Sequence, residues 1–126
     1  MITQRFGPYA ILTDGSGEAA VDTDPLNGLI DRIEIILPAE GSLADAAIAF
    51  TLAGSGTPVL AVTGTETSAS YRPRGATHDE ADGSALLRWA GGNGACALVP
   101  VAGEALRCAI VGAPSAQAAS LYVELV

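Results

Sequence analysis

The sequence predicts an all-β fold: a single-domain antiparallel β-sandwich or barrel, jelly-roll-like, of about eight short strands with at most one short helix. Three observations lead there. Fifteen glycines and seven prolines punctuate short apolar runs at intervals of about eight to twelve residues, the spacing of strands joined by turns. Inside several runs apolar and polar residues alternate with period two, so that one face meets a core and the other meets water or a partner. At 126 residues the chain is one domain, 1–126, long enough to bury a core.

The first strand is expected over Pro8 to Thr13, closed by the turn Asp14-Gly15-Ser16-Gly17. A second runs from Glu18 to Thr23 and ends at Asp24-Pro25, where proline and aspartate favour a turn. The third, LIDRIEIIL from Leu29 to Leu37, is the clearest: Ile33, Ile35 and Leu37 fall on one face, Arg32 and Glu34 on the other. IAFTLAG (Ile48 to Gly54) and PVLAVTG (Pro58 to Gly64) follow, joined by Ser55-Gly56-Thr57. Helix competes here, because Ser42 and Asp45 have the spacing of a capping box before an alanine-rich run. Phe50-Thr51-Leu52 and the flanking glycines favour strand. A short helix is expected from Ser84 to Ala90, behind Asp82 and stopped by Gly91-Gly92. Near the end, Leu106, Cys108 and Ile110 oppose Arg107, and Leu121, Val123 and Leu125 oppose Tyr122 and Glu124.

Composition narrows the function classes. Hydrophobic residues are 49% and charged residues 16%, whereas roughly a quarter of an average domain is charged. A surface so poor in charge suits a chain covered by a partner or by its own copies. All basic residues are arginine, and the net charge is −8, which repels a phosphate backbone, so nucleic acid is not an expected partner. Cys96 and Cys108, twelve positions apart, have neither redox nor zinc spacing and read as small buried thiols in a reducing cytoplasm. The start MITQRFGPYAILTDG lacks the basic and apolar regions of a signal peptide. Ala46 to Thr65 carries no charge over twenty residues, but Gly54 to Pro58 breaks it as a turn, so no membrane span is expected.

Polar chemistry concentrates in YRPRGATHDEADGS, Tyr71 to Ser84, which holds the single histidine, two of six arginines and three of fourteen carboxylates. His78, Asp79, Glu80 and Asp82 do not make a metal site on spacing, since a catalytic zinc needs about three converging ligands and neighbours on an extended chain diverge. The segment from Asp22 to Gly28 fails as a calcium loop, because the sixth position is Asn27 and the twelfth is Ile33. No nucleophile elbow accompanies His78, and the glycine cluster before Pro100 does not open a helix as a phosphate cradle would. No enzyme, cofactor or metal is expected. Tyr71, Arg72, Arg74 and Trp89 remain, the side-chain types enriched at binding hot spots, with Pro73 stiffening the segment. They are the candidate protein interface. Against it stands a plainer reading, in which the arginine pair is neutralised by Asp79, Glu80 and Asp82.

The run RPRGATH at Arg72 to His78, ADGSALL at Ala81 to Leu87, AGG at Ala90 to Gly92 and VPVAGEALR at Val99 to Arg107 resemble small virion proteins of tailed bacteriophages. Similarity extends upstream through PLNGLIDRIEIILP (Pro25 to Pro38) and ADAAIAFTLAGSG. Gly75 stands where the resemblance leads one to expect alanine, and HDEAD makes the next turn more acidic. The resemblance implies a capsid decoration protein (cement or minor capsid protein) on the virion surface, made in the bacterial host cytoplasm. It implies a homotrimer whose partner is the major capsid protein. The alternative is a tail or tail-tip β-module binding a host surface glycan through Tyr71, Trp89 or Tyr122. A catalytic reading would rest on His78 alone, and unchanged phage fitness of His78→Ala would dispose of it.

Overall fold

The computed structural model describes residues 3–76 and 96–126; the expected helix Ser84 to Ala90, with His78 and Trp89, lies outside the described residues. The described residues form ten strands: β1 (Gln4–Leu12), β2 (Ala19–Asp22), β3 (Leu26–Ile36), β4 (Ala47–Leu52), β5 (Pro58–Thr63), β6 (Ala69–Tyr71), β7 (Arg74–Ala76), β8 (Cys96–Glu104), β9 (Leu106–Val111) and β10 (Ala118–Leu125). Among the described residues there is no helix.

Two antiparallel sheets result. The first has the order β1-β10-β3-β8-β7, with β6 also paired to β3, and the second has the order β2-β9-β4-β5. With β6 and β7 set aside, the chain visits the first sheet at β1, β3, β8 and β10 and the second at β2, β4, β5 and β9. That is the jelly-roll order of two facing four-stranded sheets. Among the described residues neither sheet closes on itself, so the fold is a sandwich and not a barrel.

The core is where the period-two pattern places it. Ile30, Ile33 and Ile35 from β3, Ile48 and Phe50 from β4, Leu106, Cys108 and Ile110 from β9, and Leu121, Val123 and Leu125 from β10 are all buried. Burying such an aliphatic side chain is worth about 1.5–3 kcal/mol against leaving it in water. Leu37, expected on the same face as Ile33 and Ile35, is half-buried just beyond β3.

Turn chemistry explains where the strands stop. Asp14 Oδ1 accepts from the Ser16 and Glu18 amides at 2.8 and 3.0 Å, an Asx turn between β1 and β2. Gly17 sits at φ 75°, and a Cβ there would meet the Ala113 carbonyl oxygen at 1.8 Å; only glycine fits. Two buried threonines tie distant segments together. Thr13 Oγ1 donates to the Pro114 carbonyl at 2.8 Å and accepts from the Gln117 amide at 2.7 Å. Thr23 Oγ1 donates to the Asp24 carbonyl and accepts from the Leu106 amide at 2.9 Å. The Ser42–Asp45 segment is a turn leading into β4, with Asp45 at φ 63°, so the helical competitor is not adopted.

Sequence and structure part at three places. β1 begins at Gln4, earlier than expected, and its ladder to β10 shifts register between Phe6 and Tyr9. β3 begins at Leu26, before the expected Leu29, and runs through Gly28 at φ 142°. The polar segment that starts at Tyr71, for which no strand is expected, carries the end of β6 and all of β7.

Candidate functional site

The candidate residues gather around an irregularity in β3. Along β10, Glu124 opposes Arg32 but Leu125 opposes Ile30, which leaves Asp31 as an extra residue, a β-bulge. On its other side β3 pairs with β8 only as far as Ile30 and with β6 only from Ile33. Asp31 therefore stands between two ladders, turned out of the pleat.

Two arginines close on it from the β6–β7 connection. Arg72 Nη1 donates to both carboxylate oxygens of Asp31 at 3.1 and 3.2 Å. Arg74 Nη2 donates to Asp31 Oδ1 at 3.1 Å, and Arg74 Nη1 donates to the Asp31 carbonyl at 3.0 Å and to the Pro73 carbonyl at 2.7 Å. Arg74 thus grips backbone and side chain of the bulge together, a use of the guanidinium fork that lysine does not share. Pro73 between them is buried. The Arg72 side chain remains 60% exposed and that of Arg74 30%. Among the described residues, two guanidiniums on one carboxylate make a fixed corner with one positive charge in excess, where the whole chain carries −8.

Tyr71 has a different place. It is half-buried, its ring 6.4 Å from that of Phe50 with the planes tilted by 50°, and partial burial is the main reason its phenol is shifted upward. It fastens β6 to the core and so holds Arg72 in register. Trp89 and His78, with Asp79, Glu80 and Asp82, lie outside the described residues.

A second polar array covers the outer face of the first sheet. Arg32 makes a bidentate pair with Glu124 at 3.0 and 2.6 Å, and Glu124 raises the guanidinium's affinity for its proton. Arg5 donates to Glu34 at 2.7 Å and lies 4.0 Å over the Tyr122 ring. On the second sheet Arg107 pairs with Asp22 at 2.8 and 2.9 Å, and this bond holds the Asp22 carboxyl below its usual range. Each of the five described arginines thus meets a carboxylate.

Among the described residues no group of three or more His, Cys, Asp or Glu side chains converges as a metal would need. Cys108 is buried, and burial pushes its thiol up to about 12, so it stays protonated and unreactive at neutral pH. Of Cys96 only the backbone is described.

Asp31 is the residue of the candidate site that sequence reading missed. A signal existed: Ile30 and Ile33 both point inward, and two polar residues between inward positions violate strict alternation, as a bulge must. Its contacts to Arg72 and Arg74 span 41 and 43 residues, which no local pattern encodes. Comparison with protein-family models, with curated proteins and with solved structures finds no match for this chain.

Proposed function

We propose that this chain is a non-enzymatic virion structural protein that binds the outside of a bacteriophage capsid as a homo-oligomer and stabilises the head. The observation that carries the proposal is the Asp31–Arg72–Arg74 corner. It is pinned at both backbone and side chain and half open to solvent, and its excess charge fits carboxylates on an opposing shell. Repeated by symmetry over a lattice, modest pairs of this kind add through avidity. The sequence resemblance to phage virion proteins supplies the identity of the shell. Jelly rolls serve viral capsids and lectins alike, so the fold by itself does not choose between a capsid and a glycan partner. Of the three aromatics named for the glycan reading, the two described ones favour the first: glycan platforms need open ring faces, and Tyr71 packs on Phe50 while Tyr122 lies under Arg5.

The test is electron cryomicroscopy of the intact particle, wild type beside an Arg72→Ala/Arg74→Ala double variant. Density for this chain is expected on the capsid lattice, with occupancy lost in the variant although the isolated protein stays folded. Density confined to the tail tip would refute the proposal and favour the glycan-binding module.

A further inference from the structure

A sandwich of open sheets exposes four edges, and natural proteins blunt such edges because their unpaired N–H and C=O groups accept any passing strand. In this molecule the four are treated differently. The edge at β1 is interrupted where its register shifts between Phe6 and Tyr9, and Pro8 within that shift has no N–H to offer. β2 is four residues long and ends in Asp22, while β7 is three residues long. β5, PVLAVT, has no charge anywhere in it. Pro58 and the register shift between Phe50 and Thr51 blunt its beginning, but Leu60–Thr63 continues as regular strand, paired on one side to β4. Among the described residues no strand pairs with its other side.

The side chains on β5 agree with its backbone. Leu60 and Val62 point inward, opposite Phe50 and Ile48. Yet they remain only partly buried against the core, whereas Phe50 and Ile48 are 0% and 2% exposed. On the outer face the register sets Ala20, Ala109, Ala49 and Ala61 in one row across all four strands. That row ends at the β5 edge.

We infer that β5 pairs antiparallel with β5 of a second copy, joining two four-stranded sheets into one of eight strands. An uncharged strand edge is complemented by another strand, and the hydrogen-bonding pattern of an antiparallel pair is its own complement about a twofold axis. With the axis on Ala61, the outward alanines meet each other and Leu60 lies opposite Val62 of the second copy. Direct partners in such a ladder share a face, so both half-exposed apolar side chains become covered and the alanine row runs on across the junction. The inference stands apart from the capsid reading, and sets a twofold pair where the sequence resemblance implies a trimer.

Static light scattering on the purified chain, with Ala61→Lys and Ala20→Lys beside wild type, tests it. Both alanines are exposed on the same face, so each variant should keep the wild-type circular dichroism; Ala20→Lys should also keep the melting temperature, and Ala61→Lys should lose only the part that pairing contributes. Wild type is expected at twice the mass of one chain. Ala61→Lys, which sets like charges opposite each other across the axis, should fall to the mass of one chain, and Ala20→Lys at the far edge should leave the pair intact. An Ala61→Cys variant should form a covalent dimer on mild oxidation, beyond any seen for wild type. A monomeric or trimeric wild type, a dimer that survives Ala61→Lys, or a dimer that Ala61→Cys does not cross-link would each overturn the inference.

Discussion

On the outer face of the first sheet Arg5, Glu124 and Arg32 stand side by side on β1, β10 and β3, their charges alternating in sign. On the outer face of the second sheet the corresponding kind of row is Ala20, Ala109, Ala49 and Ala61. Turned inward, the same two sheets are interchangeable in chemistry: isoleucine, leucine, valine and phenylalanine, nearly all buried. Inward positions therefore specify the sandwich, and the outward positions are left open to specify what each face meets. A charged lattice keeps its face solvated and selective. A lattice of methyl groups lets a neighbouring backbone approach closely and carries little charge that must be desolvated.

The comparison is broken most severely at the core, which belongs to both faces. Phe50→Ala should cost about 3–5 kcal/mol, seen as a fall in the urea midpoint. Both faces should be lost in a single transition, since Phe50 is fully buried between the sheets. Two separate transitions would mean that the sheets are stable independently of one another.

A smaller effect sharpens the contrast. Arg32–Glu124 on the first sheet and Arg107–Asp22 on the second are both bidentate, but Arg32 and Glu124 are 26% and 16% exposed while Arg107 and Asp22 are 47% and 42% exposed. Double-mutant cycles on the two pairs should give the larger coupling for Arg32–Glu124, and added salt should weaken the Asp22–Arg107 coupling the more. Equal couplings would show that the first face gains nothing from its partial shielding.

The smallest effect is in acid. Asp22 and Asp14 both titrate below the ordinary aspartate range, Asp22 through Arg107 and Asp14 through the amides of Glu18 and Ser16. A carboxyl depressed in the folded state contributes stability above its unfolded value, and that contribution is lost as pH falls through the depressed value. Stability should therefore decline below about pH 4, and Asp22→Asn should flatten part of the decline. An unchanged acid limb in that variant would remove Asp22 from the account.

How much of this could be read in advance follows from the range of the forces involved. The strands β3, β9 and β10 were legible because alternation is a local property, and so was the Ser55-Gly56-Thr57 turn, which Glu104 holds through the Ser55 amide and hydroxyl. β6 and β7 were not, because three-residue strands leave no period to detect and exist here only by pairing with β3 and β8. The start of β3 was missed for a related reason: nothing local extends the strand back from Leu29 through Gly28 to Leu26, and the ladder to β8 does so. At the candidate site, the residue types of Tyr71, Arg72 and Arg74 marked them out. Their division of labour depended on Phe50 and Asp31, which lie far away in sequence.

One feature of the first sheet bears on how the molecule tolerates change. Ala76 and Cys96 are direct partners in the β7–β8 ladder, so whatever chain joins them begins and ends at a single point of the framework. Closing a longer loop across such a point costs little, only about 0.6 kcal/mol for each doubling of its length. The Arg74 grip on Asp31 and the seat of Tyr71 on Phe50 secure the approach to that point from within the sandwich. Guest sequence inserted between the two residues would thus add little closure entropy, and the length that the molecule accepts there would measure how firmly the two anchors hold β6 and β7 in their ladders.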